Sequence, residues 1–416
     1  MLDCISIGTF RFFVFTDNQY NAMRYDFDEI VCREGTDSVK LDFVQDMFGR
    51  TDVLPMWLAD MDFRTPPFIH RAIQQRLGKD ILGYTRSGDG YRPAIVNWVR
   101  QHYDWQIGPE MVNYVPGVVC GIYLCVQTFT EKGDKILIQQ PVYHPFRIVP
   151  EGSGRQIVWN TLTRNAETFE MDLEALRRDI KGCRMMILCN PHNPAGIQWS
   201  RETLQQVAHI CAQEGVLVIS DEIHCDMMLD GRKHIPFASV SEEAARISIT
   251  LQAPSKTYNM PGIVASHAIV VNPELRERLW SYIENSDMDL GNVFAYDCVE
   301  ACYSEEGDEW RRQMLHYVEG NIQLVEQELQ TIPGIVAIHP HASFLVFLDC
   351  RGMGFPSQEE LVSFMINEAH LGLNDGGMFG AAGQGYMRMN VGCPCSTVQQ
   401  AMNQLRAAVE RKRQNS

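Results

Sequence analysis

The chain reads as an α/β protein built on an open sheet whose strands end in polar loops. Three apolar runs predict this: Met185-Met186-Ile187-Leu188-Cys189, Val216-Leu217-Val218-Ile219-Ser220 and Ile247-Ser248-Ile249-Thr250-Leu251. Each is short and continuous, the pattern of a strand covered on both faces. Each leads to polar chemistry, namely Asn190-Pro191-His192-Asn193-Pro194-Ala195-Gly196, Asp221-Glu222-Ile223-His224 and Ser255-Lys256-Thr257-Tyr258-Asn259. Open α/β sheets bind ligands beyond the carboxyl ends of their strands, so these loops form the candidate site. A length of 416 residues accommodates a large domain and a smaller one.

Taken from the start, residues 1–22 fit poorly with the rest of the chain. Ile5 to Phe15 is apolar but broken by Arg11, with Asp3 and no basic stretch before it. That is a weak secretory signal and too short for a membrane span. The globular pattern begins near Met23, so Met23 is the natural start or 1–22 is an ordered extension. Residues 23–65 are expected to join the small domain, 66–305 to form the large domain and 306–416 the small one. A helix from Phe68 to Leu77 opens the large domain. Pro116-Gly117 introduces a strand–turn–helix unit, with Val118 and Val119 at the helix start. Free N–H groups there either bind phosphate or belong to a merely structural turn. Lys135 to Ile138 reads as a strand leading to Tyr143, which on its own pattern is a core tyrosine.

In the C-terminal part, Trp310, Met314, Tyr317 and Val318 fall at helical spacing. Ile335–Ile338, Phe344–Leu348 and Tyr386–Val391 read as strands, and Ser396 as the cap of a final amphipathic helix. Arg388 lies inside an apolar strand. A buried arginine needs an anion, either an internal carboxylate or a bound one.

Composition removes several function classes. A net charge of −16 argues against nucleic acid as a partner, which calls for a basic face. The 13 cysteines include no C-x-x-C pair, Cys393 and Cys395 are too close for zinc spacing, and Cys298 and Cys302 share a helix face. Free thiols in a reducing, cytoplasmic compartment are the plain reading, with no metal site and no membrane partner. Gly380 to Gly385 lacks the order of a dinucleotide-binding turn.

A carboxylate, an amide and a lysine at three strand ends match what pyridoxal 5′-phosphate (PLP) requires. The lysine carries the aldehyde, and the acid keeps the pyridine nitrogen protonated so that the ring can absorb electrons. The order N-P-x-N-P-x-G, then S-D-E, then S-K resembles the PLP-dependent class I/II aminotransferase superfamily of fold type I. That resemblance implies a large PLP-binding domain with a mixed, mostly parallel sheet flanked by helices, plus a smaller α+β domain. Within it, Pro55-Met56-Trp57-Leu58-Ala59-Asp60-Met61-Asp62-Phe63, Gly83-Tyr84-Thr85, Asp221 to His224 and Arg388 to Pro394 resemble the MalY/PatB-type cystathionine β-lyases.

The resemblance implies a role for each residue of the site. Lys256 is the catalytic lysine. Asp221 is the pyridinium partner, Asn193 donates to the cofactor's phenolic oxygen, and Tyr143 stacks on the ring. Val118, Val119 and Ser255 meet the phosphate, joined by Tyr84 from the neighbouring subunit of a homodimer with shared sites. Arg388 grips the substrate carboxylate. His224 stands where aminotransferases usually have tyrosine, and it is either a cofactor contact or a histidine satisfied within the core. Two further departures are Val264, where many members have an arginine for the phosphate, and Ala253 in place of serine. The expected activity is C–S β-elimination from an amino-acid substrate such as cystathionine. An aminotransferase of small or aromatic amino acids, or a PLP-fold regulator, is the alternative.

Overall fold

The computed structural model describes residues 25–414. The expectations for 1–22 lie outside the described residues. At its centre is a seven-stranded sheet made of β1 (Val112–Val115), β2 (Lys135–Gln140), β3 (Gln156–Thr161), β4 (Cys183–Cys189), β5 (Leu217–Asp221), β6 (Ser248–Gln252) and β7 (Ser266–Ile269). The order across the sheet is β1-β7-β6-β5-β4-β2-β3. Strand β7 runs antiparallel to both neighbours, while the other pairs are parallel. The sheet is therefore mixed and mostly parallel, and the three predicted runs are its neighbouring strands β4, β5 and β6.

Alternating residues explain why these runs are apolar throughout. On β4, Met186 and Leu188 enter one core while Met185 and Ile187 enter the core on the opposite face. Burying each such side chain contributes about 1.5–3 kcal/mol, so a polar substitution on either face is costly. Helices cover the sheet, among them α1 (Pro67–Leu77), α2 (Tyr91–Tyr103), α3 (Val118–Phe129), α4 (Arg201–Gln213) and α5 (Pro273–Asn285).

The long helix α6 (Glu305–Leu329) starts at Ser304, whose Oγ accepts from Gly307 N–H at 3.1 Å. It buries Trp310, Met314, Tyr317 and Val318, the stripe seen in the sequence. Beyond it, β8 (Val336–Ile338), β9 (Leu345–Asp349), β10 (Asn374–Asp375) and β11 (Tyr386–Asn390) form an antiparallel sheet. The N-terminal segment reaches this region, since Leu54–Pro55 pairs in parallel with Leu371–Gly372. One local expectation is corrected. The last helix, α7 (Cys395–Gln414), begins before Ser396, so that serine lies in its first turn and is not its cap. The Tyr317 hydroxyl accepts from Cys395 N–H at 2.7 Å, satisfying a first-turn donor that a cap would otherwise serve.

Candidate active site

The carboxyl ends of the strands converge on one cavity of about 240 Å³. Its lining includes Val118 and Val119 after β1, Tyr143 after β2, Asn193 after β4, Asp221 and His224 at β5, and Ser255 and Lys256 after β6. Residues separated by up to 138 positions thus meet because the sheet aligns its strand ends. Lys256 Nζ donates to Ala59 O at 2.6 Å. Asp221 is 4% exposed, and among the described residues only Ile223 N–H donates to its carboxylate, at 3.0 Å.

Arg388 stands on β11, bonded to Asn193 but not itself among the residues that line the cavity. Its Nη1 donates to Asn193 Oδ1 at 2.9 Å, and its Nη2 to Trp57 O at 3.3 Å and to Asn374 Oδ1. Its guanidinium lies 5.0 Å from the ring centre of Phe379. It is buried, yet among the described residues it has no carboxylate partner, and its Nε has no acceptor. The internal ion pair considered as an alternative is therefore not formed. A buried cation without its anion is costly and marks a place for a bound one.

The pKa shifts follow from this burial. Desolvation raises Asp221 to about 7, against the Ile223 N–H bond and with a push from Glu222. Desolvation lowers Lys256 to about 8, opposed by the charge of Asp60 and reinforced by Arg388. Arg388 itself falls to about 10 through burial. His224 is pushed down to about 3 by burial and by Lys256 and Arg388, so it is neutral. Its Nδ1 is buried without a partner among the described residues while the ring borders the cavity. Tyr143 likewise lines the cavity, its N–H donating to Asn193 O at 3.2 Å.

These groups fit PLP. Helix α3 has no side-chain cap, Gly117 precedes it at φ +95°, and its first residues border the cavity. Such an end meets a phosphate with free N–H groups and the positive end of the helix dipole. Lys256 is the one cationic side chain among the described residues lining the cavity, and Val264 adds no charge where an arginine is common. Asp221 offers a carboxylate to a ring nitrogen. Asn193 has its oxygen occupied by Arg388, which leaves its amide N–H groups to donate.

Tyr84 is not brought to the cavity of its own chain. Its side chain is fully exposed and makes no phosphate-site contact there. Other contributors were missed in the sequence. Ala59 O and Trp57 O are set by the backbone path and carry no side-chain signal, while Asn374, whose Oδ1 accepts from Arg388, lies in none of the stretches that stood out in the sequence. The segment carrying the two carbonyls is held by Asn390, which donates to Leu58 O and Asp60 O, and its continuation by Asn259, which accepts from Met61 N and donates to Met61 O and Phe63 O. The signal available was Asn259 at the end of the Ser255–Asn259 stretch and Asn390 within Arg388–Pro394.

The family description "Aminotransferase class I and II" matches residues 52–405. Cystathionine beta-lyase PatB of Bacillus subtilis is 40% identical over 92% of this chain and 99% of its own length. Protein MalY of Escherichia coli is 30% identical over 91% of this chain and 97% of its own. The structure of cystalysin from Treponema denticola, which contains pyridoxal 5′-phosphate, superposes with a TM-score of 0.90 at 29% identity, covering 94% of this chain and all of the other. The chain belongs to the class I and II aminotransferase family.

Proposed function

We propose that the protein is a PLP-dependent C–S β-lyase that cleaves cystathionine or a related cysteine S-conjugate to a thiol, pyruvate and ammonia. The observation that carries this reading is Arg388, a buried guanidinium with no carboxylate partner among the described residues, bonded to Asn193 of the cavity that also holds Asp221 and Lys256. PLP, when bound, supplies an electron sink for charge developing at the substrate Cα. Asp221 would keep the ring nitrogen protonated, and Asn193 would donate to the phenolic oxygen. Val118, Val119 and Ser255 would meet the phosphate through N–H and hydroxyl groups, and Tyr143 would pack its ring on the cofactor. His224, neutral at working pH, adds polarity to the cavity without charge.

Arg388 orients the amino acid by its α-carboxylate, so that the Cα–H faces Lys256. Nζ of Lys256, as the free amine, takes that proton. A lysine lowered to about 8 supplies free amine near neutral pH far better than an exposed one. Once protonated, Nζ rests on Ala59 O. Expulsion of the thiolate from Cβ, which takes up a proton to become the thiol, completes elimination, and one water hydrolyses the released aminoacrylate to pyruvate and ammonia. Likeness to PatB, MalY and the C–S lyases across nearly the whole chain favours elimination over transamination.

The active unit is a homodimer in this reading. Leu77, Ile81 and Leu82 are exposed apolar residues leading to the exposed Tyr84, the composition of a partner-covered surface. Tyr84 would then serve the phosphate of the neighbouring subunit's site. The compartment is cytoplasmic, a reading supported by described cysteines that are all free thiols. No described helix is long and apolar enough to cross a membrane. Thiol and pyruvate release from L-cystathionine, without any keto acid, tests the activity.

A further inference from the structure

Behind the catalytic lysine lies a charge cluster that the proposed chemistry leaves unused. Asp60 Oδ2 accepts from Arg33 Nη2 at 2.7 Å, while Asp62 accepts from Arg33 Nη1 at 3.1 Å and from Lys40 Nζ at 2.8 Å. Lys40 Nζ is also 4.0 Å from Asp60 Oδ1. Lys40 is 1% exposed, a placement that lysine takes only when paired. Asp60 Oδ1 is buried and receives no hydrogen bond among the described residues.

The other side of the same residue faces the site. The Ala59–Asp60 peptide carries the carbonyl that accepts Lys256 Nζ, and Asn390 Nδ2 holds that segment from both sides through Leu58 O and Asp60 O, each at 2.6 Å. Lys256 is also faced by Asp221 from β5, by Arg388 from β11 and by the neutral His224. Burial is the largest influence on its basicity, and Asp60 is the strongest charge opposing that influence, ahead of Asp221.

We infer that Asp60 is a positioning residue for Lys256: it anchors the carbonyl that receives the free lysine's ammonium and supplies the negative charge that helps the amine hold its proton, while Arg33 and Lys40 temper that charge. This rests on the reading of Lys256 as the acting amine but holds for elimination and transamination alike.

The arrangement makes an antisymmetric prediction. Removing the Asp60 charge leaves Lys256 less basic. Removing a cation behind Asp60 leaves its charge less compensated and Lys256 more basic. Disorganising a merely structural cluster would move both variants in one direction or neither.

The test is competitive acetylation of the full-length protein stripped of cofactor, followed at the Lys256 peptide by mass spectrometry across pH. Stoichiometric rebinding of PLP certifies the fold of each variant. Asp60→Asn is expected to move the labelling midpoint down by about one unit, the low end of the effect of a nearby opposite charge. Arg33→Gln is expected to move it up. An unchanged or raised midpoint in Asp60→Asn, or an unchanged or lowered one in Arg33→Gln, overturns the inference. Should Asp60→Asn fail to rebind PLP, Arg33→Gln alone decides by the same criterion. Absence of lyase turnover would leave these midpoints untouched, so failure of the proposed reaction is separately visible.

Discussion

The burial of Asp221 makes its replacement by asparagine informative in two opposite ways. Without cofactor the carboxylate has, among the described residues, one N–H donor and no paired cation, and its pKa stands at about 7 against an ordinary 3.8. A folded-state pKa above the unfolded one contributes stability that is present below the unfolded value and lost as pH rises through the folded value. The window here is therefore 3.8 to about 7. Three units at about 1.36 kcal/mol each give a total near 4 kcal/mol. Asp221→Asn removes the ionisation while keeping an oxygen for Ile223 N–H. The cofactor-free variant is expected to gain on the wild type as pH rises, by about 2 kcal/mol between about pH 5.5 and about pH 8. Urea midpoints of the two cofactor-free proteins at both pH values measure this. The loaded variant is expected to lose most of its activity, because asparagine cannot hold the ring nitrogen protonated. A stability difference that stays flat with pH, or that shrinks as pH rises, would show that Asp221 is not the buried, uncompensated acid described.

Two other perturbations arise from the same geometry. Arg388→Lys keeps a charge but not the two-pronged donor, and Arg388→Met keeps neither. Losing a buried charged contact of about 3–4 kcal/mol corresponds to about 10²–10³ in kcat/KM, with the cofactor's visible absorbance retained in both variants. Loss of the absorbance instead would assign Arg388 to cofactor binding. For the dimer, mixing inactive Tyr84→Phe with inactive Lys256→Ala subunits is expected to restore part of the activity, since one hybrid site is intact. No recovery in verified heterodimers would refute a shared site.

The central sheet was legible because parallel strands covered on both faces leave continuous apolar runs, as Met185–Cys189 and Ile247–Leu251 do. Lys256, Asp221 and Asn193 were legible because each ends such a run. Their convergence was not contained in the runs. It depends on strand order, with β4, β5 and β6 as neighbours, which periodicity does not encode. Arg388 stood out as a charge in an apolar strand, but that it has no ion pair among the described residues is a tertiary fact. Ala59 O was invisible because a carbonyl's direction is set by the chain path that Asn259 and Asn390 hold. Ser396 misled because its cap role was taken by Tyr317, 79 residues away. Tyr84 is the reverse case, a residue whose proposed role lies in a partner and whose own chain leaves it exposed.

The most direct test of the proposed reaction tracks thiol and pyruvate from L-cystathionine with purified, PLP-loaded protein, first without any keto acid and then with 2-oxoglutarate. Sustained release of both products in the first tube, abolished by Lys256→Ala and unaffected by 2-oxoglutarate, is the expected result. Conversion that stops at one equivalent per site, with turnover appearing only when 2-oxoglutarate is added, would make the protein an aminotransferase and contradict the proposed lyase.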